Sequence, residues 1–205
     1  YEAFKKAVKE DTCGRAGAVQ KEIEFVNARA KEMSALTDML EKGDIPLRVT
    51  HNDTKLNNCM FDKESGKTIC VIDLDTVMPG LRAYDYGDSI RFGASTGAED
   101  EPDLSKVNFS FPLFESYTKG FFDACGETMT EKEAISLPIG AKLMTLECGM
   151  RFLTDYLDGD TYFKISRKEH NLDRCRTQFK LVSDMEAQWD KINEFVMREF
   201  KNVKN

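Results

Sequence analysis

The side chains with the clearest chemical potential lie in the segment THNDTKLNN, residues 50–58. This segment carries His51, Asp53 and Asn58 in the pattern H-x-D-x-x-x-x-N, and a later apolar run ends in Asp73. Phosphoryl transfer needs such a set, because one carboxylate must receive or orient the proton of the attacking hydroxyl while other oxygen ligands hold Mg²⁺ on the nucleotide phosphates. Mg²⁺ prefers hard oxygen donors and few protein ligands, so one Asn and one Asp suffice.

A β-hairpin is predicted to bring the two ends of this pattern together. The apolar runs 59–61 and 68–72 are joined by DKESGK, with Gly66 near its end, which is typical of a hairpin turn. Such a hairpin would place Asn58 and Asp73 at one edge. Asp-rich turns also arise for structural reasons, since Asp and Asn accept turn hydrogen bonds. The combination of spacing, hairpin and second Asp favours chemistry over a structural turn.

Most of the remaining chain predicts helices. Apolar residues spaced by 3 and 4 predict one amphipathic helix over residues 17–42 and another over residues 171–200. Thr130 and Glu133 form a capping-box pattern before a further long helix, and His170 is expected to be exposed near a helix start. Two other segments predict a short extended run and a polar loop, namely residues 47–50 and 94–108.

Composition excludes several classes of protein. The chain has 205 residues and a net charge of −7, from 29 basic and 36 acidic residues. No basic run is long enough for nucleic-acid binding, and no apolar run approaches the roughly 18–20 residues of a membrane span. Six cysteines lack C-x-x-C spacing, which favours reduced thiols in a cytoplasmic protein over disulfides or a zinc site.

The segment HNDTKLNN, followed by VIDLD, resembles the catalytic and metal-binding motifs of the aminoglycoside phosphotransferase and choline kinase family. These enzymes are small-molecule relatives of protein kinases. The resemblance implies that ATP is the cosubstrate, that Asp53 is the catalytic base, that Asn58 and Asp73 bind Mg²⁺, and that His51 supports the catalytic loop. The sequence departs from the family pattern at Asn52, where Gly is usual, and this change leaves the ligands intact.

The segment GLRAYDYGDSIRF, residues 80–92, resembles the downstream element of that family, in which an Asp braces the catalytic loop. Asp85 and Asp88 are the two candidates for this structural role. Lys55 and Asp75 are further possible members of the site, and Asp75 either assists the metal or caps the turn.

Three segments together resemble the N-acetylhexosamine 1-kinase branch: THNDTKLNN, DYGDSIRFGA and ECGMRFLTDYLDGDTYFK. Enzymes of this branch phosphorylate the anomeric hydroxyl of GlcNAc or GalNAc, and an Arg on a late helix with a following aromatic pair contacts the sugar. The matching residues are Arg151, Tyr162 and Phe163. Alternatively, Arg151 forms an ordinary surface ladder with Glu147 and Asp155, four residues to either side, and the aromatic pair packs in the core.

The resemblance also implies a fold. We expect a mainly α structure with a small β-hairpin, the helical C-terminal lobe of a protein-kinase-like α+β fold, over residues 1–205. Residues 45–93 would form the catalytic and metal-binding core, and residues 1–44 and 109–205 a helical subdomain. No Gly-rich phosphate-covering loop precedes the catalytic loop, so the N-terminal nucleotide lobe is expected outside this chain, which alone would be inactive.

Other functions remain open at this stage. Relatives with the same core motifs act on choline, homoserine, methylthioribose or aminoglycosides, so the acceptor is not fixed, and neither is the oligomeric state. The segment VIDLDTV also fits the opening motif of haloacid-dehalogenase-like phosphatases, with Asp73 as nucleophile and Asp75 as acid/base, but that class needs a parallel α/β sheet. A non-catalytic pseudokinase is a third alternative, which the intact Asp53, Asn58 and Asp73 argue against.

Overall fold

The computed structural model describes all residues 1–205, which form eight α-helices and two small sheets. The helices are α1 (Glu2–Glu10), α2 (Gln20–Ala28), α3 (Ala35–Glu41), α4 (Arg82–Gly93), α5 (Phe111–Cys125), α6 (Glu131–Leu157), α7 (His170–Ala187) and α8 (Trp189–Lys204). The strands are β1 (Arg48–Thr50), β2 (Cys59–Phe61), β3 (Thr68–Val71) and β4 (Met78–Gly80). This is the helical lobe of a kinase-like fold, as predicted.

Both sheets are antiparallel pairs, β1 with β4 and β2 with β3. The second pair is the predicted hairpin. The first pair contains β4, which the sequence did not predict because a Pro lies in its middle. Gly80 is required there, since a Cβ at this position would lie 2.3 Å from Thr50 Oγ1. No parallel sheet is present, so the phosphatase alternative lacks the sheet that its chemistry requires.

The helix predicted over residues 17–42 is wrong as a single element. It is broken into α2 and α3 by a 3₁₀ turn at Ala30–Glu32. The Arg29 guanidinium donates to both carboxylate oxygens of Glu186 on α7, at 2.9 and 2.5 Å. The 3-and-4 spacing of apolar residues continues across the break because α2 and α3 both pack on α6. This ion pair lies at the break, and local spacing does not report it.

The predictions for the C-terminal third need similar corrections. The helix expected over residues 171–200 is two helices, because Gln188 leaves helical geometry at φ −114° and ψ 18°. His170 does begin a helix, but it is buried rather than exposed: its Nε2 lies 2.9 Å from Asp100 Oδ2. The polar loop at 94–108 contains a 3₁₀ turn and is closed by an isolated bridge between Ser95 and Phe109.

The long helix α6 organises the molecule. Its N-terminus carries the predicted capping box, with Glu133 N–H donating to Thr130 Oγ1 at 3.1 Å and Thr130 N–H donating to Glu133 Oε2 at 2.9 Å. Its backbone approaches α4 closely, since a Cβ on Gly87 would lie 2.4 Å from the Gly140 carbonyl oxygen. Apolar side chains from its two halves enter two separate core clusters. No helix in the structure combines the length and the hydropathy that crossing a bilayer requires.

Candidate active site

The loop from His51 to Thr54 is anchored by one carboxylate on α4. Asp85 Oδ2 accepts the His51 backbone N–H at 2.8 Å, and Asp85 Oδ1 accepts the Asn52 N–H at 2.7 Å. The Thr54 hydroxyl donates to the Asp85 carbonyl oxygen at 2.6 Å. Asn52 adopts φ 64°, a left-handed conformation that Asn tolerates better than most residues. Of the two predicted bracing candidates, Asp85 is the one that contacts the loop.

His51 connects this loop to the end of strand β3. Its Nδ1 accepts the Asp53 backbone N–H at 3.3 Å, so Nε2 carries the proton and donates to the Ile72 carbonyl oxygen at 3.0 Å. The Thr76 hydroxyl donates to the His51 carbonyl oxygen at 2.6 Å. Both ring nitrogens of His51 are therefore engaged in hydrogen bonds within the chain.

Asp53 is partly exposed and lies beside a lysine. Lys55 Nζ donates to Asp53 Oδ2 at 2.8 Å, and the Asp53 side chain is 27% exposed. Burial acts to raise the pKa of the Asp53 carboxyl, but the hydrogen bond and charge of Lys55 outweigh it, and the pKa is lowered from its ordinary value. Asp53 is therefore a carboxylate at neutral pH, which is the form that accepts a proton or a hydroxyl hydrogen bond.

The backbones of the two predicted metal ligands lie at the same end of the β2–β3 hairpin. The Ile72 N–H donates to the Asn58 carbonyl oxygen at 2.9 Å, which places Asn58 directly across from the residue before Asp73. Asn58 is 5% exposed, and its Nδ2 donates to the Asp53 carbonyl oxygen at 2.8 Å, leaving its amide oxygen free. Asp73 adopts φ 63°, and its carboxylate does not cap the following turn.

This donor set fits Mg²⁺. One carboxylate and one amide oxygen, both without competing local hydrogen bonds, match the hard oxygen ligands that Mg²⁺ takes from proteins in phosphoryl-transfer sites. The nearby negative charges also affect Lys55. The hydrogen bond to Asp53 and the charges of Asp53, Asp73 and Asp88 raise the pKa of Lys55, although burial acts to lower it. Lys55 therefore lies in the field of several carboxylates.

The remaining two acidic candidates lie apart from the loop. Asp75 is exposed within the 3₁₀ turn Leu74–Thr76. Asp88 is buried, and its Oδ1 accepts two hydrogen bonds from the Arg91 guanidinium at 3.0 and 2.8 Å. Arg91 in turn donates to Glu99 at 2.6 Å. Asp88 thus belongs to an ion-pair chain behind Lys55 rather than to the anchor of the catalytic loop.

A cavity of about 440 Å³ opens next to the catalytic loop. Asn52 and Tyr84 line it beside the loop, and most of the remaining lining is apolar and comes from α3, α6, Tyr1 and Met33, with Arg151 and Glu147 as its charged groups. A second cavity of about 470 Å³ adjoins it and contains Tyr162 and Phe163. Arg151 and Glu147 line both. The three predicted acceptor residues are therefore brought together, but only Arg151 also lines the cavity at the loop.

Of the two ion pairs in the alternative surface ladder around Arg151, only the pair with Glu147 is present. Arg151 Nε lies 3.7 Å from Glu147 Oε1, and its guanidinium lies 5.8 and 5.5 Å from the ring centroids of Tyr162 and Phe163. Phe163 also packs on Phe152, with ring centroids 4.7 Å apart. Asp155, the other expected member of the ladder, points inward instead and is 5% exposed.

Sequence analysis missed the role of Asp155. Its carboxylate accepts backbone N–H groups from Thr161 and Tyr162 at 2.8 Å each and from Phe163 at 3.0 Å. The Asn171 side-chain amide donates to it at 2.8 Å. The helical spacing of charges predicted that the Asp155 side chain lies on the surface beside Arg151, whereas it points inward. The only available signal was a Gly shortly after an Asp near a helix end, which predicts a turn but not its anchor.

Comparison with protein families decides the general assignment. The model of the phosphotransferase enzyme family matches residues 2–117, more than half of the chain. The chain belongs to this family. The phosphotransferase match includes the catalytic loop, the hairpin edge and Asp85, and it confirms the predicted relationship to aminoglycoside-phosphotransferase-like kinases at the level of the family. It ends in α5, so the residues around Arg151 lie outside the matched part.

Proposed function

We propose that this phosphotransferase transfers the γ-phosphate of ATP to the anomeric hydroxyl of an N-acetylhexosamine, GlcNAc or GalNAc. The observation that carries the proposal is the convergence of Asp53, Lys55, Asn58 and Asp73 at one hairpin edge, beside a cavity for a small molecule. Membership of the phosphotransferase family supports a small-molecule acceptor and ATP. In this proposal the loop that covers the nucleotide phosphates comes from outside the 205 residues.

Each residue at the edge has a defined task in the proposal. Asp53 accepts the hydrogen bond of the acceptor hydroxyl and takes its proton. An anomeric hydroxyl is more acidic than an ordinary alcohol, so an aspartate of lowered pKa is a sufficient base. Asn58 and Asp73 would hold Mg²⁺, which when bound neutralises charge on the phosphates. Lys55, at 2.8 Å from Asp53, holds that carboxylate in its ionised form.

The choice of an amino-sugar acceptor depends on the region around Arg151. Arg carries a planar fork of donors that suits sugar hydroxyls, and the rings of Tyr162 and Phe163 can cover the apolar face of a pyranose. The cavity at the loop offers about 440 Å³, which is enough for a monosaccharide. Its mixture of apolar walls with two charged groups also suits an acetamido sugar.

A turnover assay tests the proposal. ADP release would be followed with the natural full-length protein that contains this chain, MgATP and a panel of GlcNAc, GalNAc, glucose, choline, homoserine and kanamycin. We expect turnover with an N-acetylhexosamine that is abolished in Asp73→Asn. Turnover only with a different acceptor would support kinase activity but refute the amino-sugar acceptor. An absence of turnover on every acceptor would point to the non-catalytic alternative.

A further inference from the structure

The segment after α6 presents Tyr162 with little side-chain support. The Tyr162 side chain is 74% exposed, with its ring 4.8 Å from the Phe163 ring centroid and 5.8 Å from the Arg151 guanidinium. A side chain this exposed is not fixed by packing. Its position beside Arg151 depends on the backbone that carries it.

That backbone is held by the buried carboxylate of Asp155. Three consecutive N–H groups, from Thr161 to Phe163, donate to its two oxygens at 2.8 to 3.0 Å. Hydrogen bonds to an ionised group are shorter and about twice as strong as neutral ones. Together with the amide of Asn171, these donors compensate a charge that is 5% exposed. The loop conformation and the burial of Asp155 therefore depend on each other.

The same anchor extends to the start of the loop. The Asn171 amide nitrogen donates to both Asp155 Oδ2 and Asp160 Oδ1, at 2.8 and 2.9 Å. Arg15 Nη1 donates to Asp160 Oδ2 and to the Tyr156 carbonyl oxygen, at 2.6 Å each. Asp160 adopts φ 60°, a conformation that needs such support. The loop is thus held at two points, by the buried carboxylate of Asp155 and by the partly exposed guanidinium of Arg15.

We propose that Asp155 is a positioning residue for acceptor binding, which holds the backbone of Thr161–Phe163 so that Tyr162 stays beside Arg151. This inference rests on the proposed function. Asp155 itself does not bind the acceptor, because both of its oxygens are occupied by loop amides and Asn171. A change at Asp155 should therefore weaken acceptor binding and spare phosphoryl transfer, which takes place at the hairpin edge.

Steady-state kinetics of Asp155→Asn in the natural full-length protein test this role. Asn has nearly the same size, but its amide nitrogen cannot accept the N–H groups that one carboxylate oxygen now receives. We expect the acceptor KM to rise about tenfold, while kcat and the KM for MgATP stay within about twofold. An unchanged acceptor KM, or a loss confined to kcat, would overturn the proposal.

A double-mutant cycle with Tyr162→Ala separates positioning from general destabilisation. If Asp155 acts through the loop, Asp155→Asn adds little to the acceptor KM once the Tyr162 ring is gone. Fully additive effects would show that Asp155 acts elsewhere, and would overturn the proposal. Asp123→Asn, which removes one exposed carboxylate from α5, is the charge-matched control and should leave all constants unchanged.

Hydrogen exchange gives a readout that does not depend on turnover. In Asp155→Asn, the amides of Thr161–Phe163 should exchange faster than in wild type, while the α6 amides keep their protection. If that variant fails to fold, Arg15→Gln releases the outer pin and should raise the acceptor KM by a smaller factor. A wild type without turnover refutes the proposed function. An active wild type with normal acceptor KM in either folded variant refutes the positioning role alone.

Discussion

Two loops form the candidate site, and one buried or half-buried aspartate anchors each of them. Asp85 on α4 accepts two backbone N–H groups of the His51–Thr54 loop, and Asp155 on α6 accepts three from the Thr161–Phe163 loop. The first loop is also tied to the hairpin edge through His51 and Thr76. The second has no such cross-connection at Tyr162. The loop proposed to carry the chemistry is thus tied to several elements, whereas the Tyr162 side chain, proposed to recognise the acceptor, is held only through the backbone of its own loop.

This difference suggests how one fold can serve several acceptors. The groups proposed to transfer the phosphate are fixed by contacts among β1, the hairpin and α4. The groups proposed to recognise the acceptor lie on α6 and the segment after it, and changing them leaves the first network untouched. Substitutions in the two regions should therefore give kinetically distinct defects.

The largest effect is expected at Asp53. Asp53→Asn removes the proton acceptor and should lower kcat by about 10²–10⁴-fold, the usual contribution of a positioned general base. Asp62→Asn makes the same charge change in the hairpin turn, where Asp62 only accepts hydrogen bonds from Ser65, and should leave kcat unchanged. Similar kinetics for the two variants would remove Asp53 from the mechanism.

Asp85 and Asp88 should be separable by kinetics. Asp85→Asn loses charge-assisted bonds to the catalytic loop, and we expect kcat to fall about tenfold to a hundredfold, since such bonds are worth about 1.5–3 kcal/mol. Asp88→Asn breaks the pair with Arg91 and should lower the free energy of unfolding more than it lowers kcat. A larger kcat loss at Asp88 than at Asp85 would reverse the roles assigned to them.

Arg151 should affect the acceptor alone. Arg151→Lys keeps the charge but loses the planar fork, and we expect the acceptor KM to rise roughly tenfold with kcat nearly unchanged. Arg198→Lys, at an exposed residue on α8, is the matched control. A fall in kcat without a change in acceptor KM would place Arg151 in the chemical step and weaken the distinction between the two loops.

The smallest effect concerns pH. Because the pKa of Asp53 is lowered from its ordinary value, Asp53 stays ionised as the pH falls, and kcat/KM should show no acid limb from this group between about pH 5 and pH 7. Lys55→Met removes the main hydrogen bond that lowers this pKa, so burial should then move the acid limb of the residual activity upward. An acid limb that stays at the same pH in this variant would contradict the assignment.

The sequence predicted the first loop far better than the second. The spacing of Asp53 and Asn58 and the hairpin to Asp73 are local patterns, and the structure has that hairpin. Asp155 was missed because its partners are backbone amides of a loop, and backbone amides leave no mark in the residue types. The break after Arg29 and the burial of His170 were missed for a related reason, since both depend on acidic partners distant in the chain, Glu186 and Asp100.

The most direct test of the central claim is the identity of the product. Phosphorus NMR would follow MgATP and GlcNAc or GalNAc with the natural full-length protein, beside Asp53→Asn. We expect ADP and a sugar phosphorylated at C1 with wild type, and only unreacted ATP with the variant over the same time. Free inorganic phosphate without a sugar phosphate, or the same product formed equally fast by the variant, would contradict it.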